Sequence, residues 1–297
     1  MTRAETKKDA AAASDAHEDN GAQKYVVPFA WENSRVEPLS LTRSFLKDAL
    51  EDNQTYMEHG SKFFAAFADV QLPRATVVTC SDARVQSGAW DVTPENDDFT
   101  VRNWGNQIDS SAGSIEFGVE QLNTPLLLII GHTGCDAVRA AMGDQSKLPK
   151  SLQAELKGIE VPKPGPAKNE TQHWADASVA NVHTQVANAL KRFGKRVQSG
   201  QLTVVGAIYD FRNDLGHAPG KLVIVDVNGN GEAERLDAFV TAVSASPPVA
   251  EARAAAKKNA KKAAESPEDV LRALAKVQGV VTHEIASPTN DSPGAAK

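Results

Sequence analysis

Four short runs of β-branched and aliphatic residues constrain this chain more than any other feature. Residues 75–79 (ATVVT), 99–101 (FTV), 126–130 (LLLII) and 202–208 (LTVVGAI) are β-rich and apolar, several of them continuous rather than alternating. Continuous runs of that kind mark strands covered on both faces, as in a parallel sheet, rather than half-solvated ones. Helical candidates at 113–122 and 177–193 lie between them, and the alternation predicts a three-layer α/β/α domain around a central, mostly parallel sheet. A further strand at 221–227 ends on the Asn228-Gly229 turn and fits an antiparallel edge. Upstream, Leu41, Phe45, Leu46 and Leu50, then Phe63, Phe64 and Phe67, recur at helical spacing and predict two amphipathic helices before Pro73.

The rest of the chain narrows the partners. A length of 297 residues, 41% of them hydrophobic, is enough for a substantial core. The balance of 32 Lys+Arg against 38 Asp+Glu leaves a net charge of −6 without a basic block in a foldable segment, which argues against nucleic acid as a partner. No stretch approaches the roughly 18 apolar residues of a membrane span. Residues 1–24 read as a disordered, charged leader without the apolar core of a secretory signal, so a cytoplasmic location is expected. A folded domain is expected over 25–245. Within it, 147–172 carries Pro149, Pro162, Pro164 and Pro166 among polar residues and reads as a mobile surface insertion. Residues 246–297 form an Ala/Lys-rich tail with one candidate helix at 266–277 behind a Ser-Pro-Glu-Asp cap. Asp226–Gly231 mimics the start of a calcium loop, but its strand flank makes it a hairpin.

Only two cysteines are present, too few for a disulfide framework. Cys80 and Cys135 each follow a predicted strand, and ligands of open α/β sheets bind at the carboxyl ends of strands. His132 and Cys135 are three residues apart where a helix opens, a spacing that lets both face one ion. Two thiolates and an imidazole are a zinc set with one tetrahedral position left over, and sulfur favours zinc above magnesium or calcium. Isolated cysteines are more often small buried hydrophobes; the neighbours shift the balance. Asp82 and Arg84 follow in Cys-Ser-Asp-Ala-Arg, where a bidentate pair between them would hold the carboxylate off a nearby metal.

These residues resemble the β-class carbonic anhydrases, through Cys80-Ser-Asp-Ala-Arg-Val85, Val101-Arg-Asn-Trp-Gly-Asn106 and Gly131-His-Thr-Gly-Cys135 in order. Weaker echoes are Ser114-Ile-Glu-Phe117, Ala180-Asn-Val182 and Gly206-Ala-Ile-Tyr-Asp210. The resemblance implies one zinc per chain on Cys80, His132 and Cys135, with Asp82 either accepting a hydrogen bond from metal-bound water or becoming a fourth ligand in a closed form. Arg84 decides between the two by holding Asp82 away. It also implies carbon dioxide and bicarbonate as substrates of a reversible hydration, and a homodimer or larger assembly in which N-terminal helices pack on a second subunit. Gln71, Phe99 and Phe117 match substrate-pocket positions, Phe117 standing where plant-like members often carry tyrosine. Two residues depart from the family pattern. Trp104 replaces a smaller residue and either narrows the pocket or packs under its loop. Asp136 replaces a glycine and either adds negative charge at the metal or faces solvent at the helix start. Carbonyl sulfide or carbon disulfide as substrate, and a structural zinc closed by Asp82, are the alternative readings.

Overall fold

The computed structural model describes residues 37–163 and 169–245. The expected leader, tail and late helix lie outside them. Two units are distinguished, meeting between Ala68 and Asp69. In the described part of the first, a single helix, α1 (Pro38–Phe67), replaces the two helices expected. The only breaker between the two apolar groups is Gly60, and one interior glycine costs roughly 1 kcal/mol relative to alanine, too little to interrupt 30 residues of helix. Pro38 at its first position and the Glu37 carboxylate, accepting from the Leu39 and Ser40 amides, start it. Leu39, Phe45, Leu46 and Leu50 on this helix are exposed.

The second unit holds a five-stranded sheet of β1 (Ala75–Cys80), β2 (Asp98–Asn103), β3 (Leu126–His132), β4 (Thr203–Asp210) and β5 (Lys221–Val227) in the order β2-β1-β3-β4-β5. The first four run parallel and β5 is antiparallel at the edge, as the strand patterns predicted. Among the described residues five α-helices accompany it: α2 (Ala112–Glu116), which continues as a π turn over Phe117–Gln121, α3 (Asp136–Met142), α4 (Lys150–Glu155), α5 (Glu170–Gln198) and α6 (Ala233–Ser244).

Helix α5 organises one face of the sheet. An Asn169/Gln172 capping box starts it, and Ala177, Val182, Val186, Ala189 and Phe193 recur at the spacing of one helix face and are buried. The helix lies so close to the strands that a Cβ on Gly131 or Gly206 would sit 2.6 Å from a Val182 methyl. The same helix turns buried polar groups toward the loop after β2. Asn181 donates to the Gly105 carbonyl, while Gln185 accepts from the Ile108 amide and donates to the Gly158 carbonyl. On the opposite face Ala75, Val77 and Ile130 are buried, with Leu126, Leu128, Tyr209 and Leu222 half-buried around them.

The segment read as a mobile insertion is built into the core instead. Leu156 and Ile159 are buried in one cluster with Cys80, Cys135, Ala137 and Trp174. A Cβ on Gly105, whose φ is +92°, would meet the Ile159 δ-methyl at 2.7 Å. The prolines at 149 and 162 are themselves exposed but bracket this packed turn, and Pro164 and Pro166 lie outside the described residues. Helix α5 likewise begins inside that stretch, seven residues before the sequence pattern placed it. Replacing Ile159 with alanine removes buried volume beside the Gly105 loop and is expected to cost about 2–5 kcal/mol in urea unfolding. The exposed neighbour Lys157→Ala should stay within about 0.5 kcal/mol.

Candidate metal centre

Strands β1 and β3 are adjacent and parallel, with Thr79 paired to Ile130. That register delivers Cys80, the last residue of β1, beside the His132 end of β3, and the tight turn at Gly134 (φ +66°) brings Cys135 back to it. The ligand atoms of Cys80, His132 and Cys135 all lie within 4.8 Å of one another, and all three residues are buried. The two sulfurs are 4.0 Å apart and unbridged.

The electrostatics of this cluster suit a cation. The Cys135 thiol, hydrogen-bonded to the Cys80 sulfur, lowers the Cys80 pKa to about 4 against the burial that opposes it, with help from His132. The Cys80 sulfur and burial push Cys135 well above its ordinary value. The pair therefore gives up its first proton more easily than its second, and positive charge placed between the sulfurs favours loss of both. His132 is committed in the same way. Its Nδ1 lies 3.0 Å from the Thr133 carbonyl, which can only accept, so in the neutral ring Nδ1 carries the proton and Nε2 a lone pair. That Nε2 is buried without a hydrogen-bond partner. A buried acceptor without a donor is costly unless an ion meets it, so the three residues fit a soft divalent metal.

Beside them stands Asp82. Arg84 grips its carboxylate through Nε to Oδ1 at 2.9 Å and Nη2 to Oδ2 at 2.6 Å, and the Arg84 amide donates to Oδ1 as well. The guanidinium holds the carboxyl down to about pKa 2, leaving it ionised at any working pH. Its Oδ2 is 3.8 Å from His132 Nε2, within reach of an ion on that nitrogen. Asp136 opens helix α3 with its carboxylate 71% exposed and 3.9 Å from Arg84, which resolves its two readings toward solvent. Trp104 packs against the cluster that contains Cys80 and Cys135, with its carbonyl accepting from Gln107.

The three residues expected to bind substrate are not brought to this cluster within one chain. Phe99 pairs with Thr76, four residues before Cys80 along β1, or roughly 13 Å at strand rise. Phe117 packs on Phe99, their ring centroids 5.7 Å apart, and Gln71 is exposed ahead of β1.

Several residues around the centre were given no role in the sequence reading, although Arg102, Thr133 and Asp210 lie within its motifs. Arg102 on β2 donates to the Cys80 and Asp82 carbonyls, bracing the loop that carries both. Thr133 donates to the buried Asp210 carboxylate, which also accepts the Asp214 and Leu215 amides. Trp174 donates its indole N–H to the Cys135 carbonyl at 2.8 Å. The Arg139 and Arg212 guanidinium carbons each lie about 5 Å from its ring centroid. Phe211 stacks on the His132 ring. A signal for the β4 residues existed: β4 neighbours β3 in a parallel sheet, so the residues after its carboxyl end open on the same crevice.

Among the described residues no helix is long and apolar enough to cross a membrane. The carbonic anhydrase family model matches residues 75–218, which contain every residue of the centre. Carbonic anhydrase 2 of Mycobacterium tuberculosis is 31% identical over 173 residues, covering 56% of this chain and 81% of that protein. The solved β-carbonic anhydrase CafA of Aspergillus fumigatus superposes with a TM-score of 0.52 at 25% identity, over 68% of this chain and 97% of that one. A tetrameric β-carbonic anhydrase of Sordaria macrospora shares the fold, with a TM-score of 0.52 at 18% identity over 64% of this chain and 100% of that one. With its Cys-His-Cys cluster at the carboxyl edge of a parallel sheet and these relatives over most of their own length, the chain belongs to the β-class carbonic anhydrase family.

Proposed function

We propose that this protein hydrates carbon dioxide reversibly to bicarbonate and a proton at a zinc ion held by Cys80, His132 and Cys135. The observation that carries the reading is the buried, partnerless His132 Nε2 facing two close thiols, with an ionised carboxylate 3.8 Å away. Two thiolates and an imidazole suit zinc. When bound, zinc supplies the Lewis acidity that makes water nucleophilic near neutral pH.

The chain's own residues do the remainder. Asp82, ionised and held by Arg84, is an acceptor aimed at the open side of the cluster and orients the hydroxyl proton of the attacking water. Arg84 also donates to the Gly134 carbonyl, so the pair is tied to the loop that carries His132 and Cys135. The oxygen of water adds to the carbon of carbon dioxide, and one proton leaves to solvent. Because Arg84 occupies both Asp82 oxygens, the site reads as open rather than closed by its own carboxylate.

Gln71, Phe99 and Phe117 are assigned to the substrate pocket of a neighbouring subunit, since their own chain's cluster is out of reach. A homodimer or larger assembly follows from that assignment. The exposed apolar residues of α1 and the tetramers of the Sordaria relative support it.

Stopped-flow hydration of carbon dioxide by the zinc-loaded protein tests the activity directly, and an absence of turnover above buffer would overturn it. Elemental analysis should find one zinc per chain, and Cys80→Ser should lose both metal and turnover. Arg84→Ala and Asp82→Asn should each retain zinc while kcat/KM falls on the order of 100-fold or more. Wild-type rates in both variants would remove the dyad from the reaction.

A further inference from the structure

The bidentate pair between Asp82 and Arg84 fixes each partner against the other, but not against the metal cluster. The carboxylate already lies 3.8 Å from the ligand nitrogen His132 Nε2, so a small displacement of the pair would put Oδ2 on the ion. Something must anchor the guanidinium to the body of the protein. Two contacts do. One is the hydrogen bond from Nη2 to the Gly134 carbonyl at 2.9 Å. The other is the face of Phe211, whose ring centroid lies 5.0 Å from the Arg84 guanidinium carbon. The same ring stacks on His132 at 5.9 Å with 23° between planes, and leans on Tyr209 at 5.7 Å.

We propose that Phe211 is a positioning residue for the metal site, a rigid platform that carries both the Arg84 guanidinium and the His132 imidazole and so keeps Asp82 from becoming the fourth ligand. The chemistry fits the geometry. An aromatic face carries negative quadrupolar charge and attracts a guanidinium within about 6 Å, while an imidazole offset from it by 4.5–7 Å packs without competing for its hydrogen bonds. Phe211 directly follows β4, whose register with β3 pairs Tyr209 with His132, so the ring's place relative to the ligand is set by the sheet itself. Arginine is the residue such a platform serves, because its plane lies flat on a ring while its edge still meets a carboxylate bidentately.

The proposal rests on the metal reading above, and its test separates the two. The full-length protein is produced with cobalt(II) in place of zinc, its metal content is measured, and sodium azide is titrated while the cobalt visible spectrum is followed. Azide needs the fourth position, so a site that Asp82 closes more often binds it more weakly. Phe211→Leu keeps apolar bulk but removes the quadrupole, and should weaken azide binding about 2- to 5-fold with cobalt stoichiometry unchanged. Phe211→Tyr should restore wild-type affinity. In an Asp82→Asn background, which lacks the competing carboxylate, Phe211→Leu should have no effect. Wild-type azide affinity in Phe211→Leu would overturn the proposal, as would equal weakening with and without Asp82, or a loss of cobalt from the Leu variant. Failure of the wild-type protein to bind cobalt would overturn the metal reading and this proposal with it.

Discussion

The parallel pairing of β1 with β3 is the constraint from which the rest of the site descends. Neighbouring parallel strands end on the same edge of a sheet, so two chain segments more than 50 residues apart open their following loops side by side. A one-residue slip in that register would turn Cys80 to the other face of the sheet and separate its sulfur from the His132 loop. Register is fixed in turn by burial. Val78 and Ile129 face the α5 side while Val77 and Ile130 face the other, so a slip would invert both apolar sets at once. The metal centre thus owes its geometry to the core, and its three donors need no long-range contact of their own to find one another.

How much of this was legible in the sequence depended on which interactions are local. β1, β3 and β4 read well because their apolar runs are continuous, whereas the edge strand β2 buries alternate residues; the Cys80, Asp82, Arg84, His132 and Cys135 group read well because each residue sits within five positions of a strand end. The 156–159 turn did not. The prolines and polar residues that flank it have the composition of a surface loop, and the partners of Leu156 and Ile159, among them Gly105 and Ala137, come from distant parts of the chain. Trp174 was missed for the same reason, since its partner, the Cys135 carbonyl, is 39 residues away and has no side-chain signature. Gln71, Phe99 and Phe117, expected in the substrate pocket, exposed a different limit. Matching a motif places a residue in a family's site, whereas the strand register decides which chain's site it can reach.

A buried ligand nitrogen must be aimed as well as present, and here the aim is set by backbone atoms. The Thr133 carbonyl fixes the His132 tautomer, and the Thr133 hydroxyl is itself tied to Asp210. Arg102 holds the Cys80 and Asp82 carbonyls, Arg84 holds the Gly134 carbonyl, and Trp174 holds the Cys135 carbonyl. Side-chain donors thus pin the peptide units on both cysteine loops, which limits how far either loop can relax when a cation draws the sulfurs together.

The charge arrangement around the cluster follows from its donor set. Two thiolates cancel the formal charge of a divalent ion, so further anions nearby would weaken its Lewis acidity. Two of the carboxylates beside the cluster are answered by Arg84. It is bidentate to Asp82, and Asp136, the more solvated of the two, lies 3.9 Å from it. A lysine there would offer a point charge that could follow Asp82 toward the ion. The guanidinium instead has its N–H groups committed to a carboxylate and a carbonyl and lies over the ring of Phe211, which leaves it no equally good position from which to let the carboxylate go.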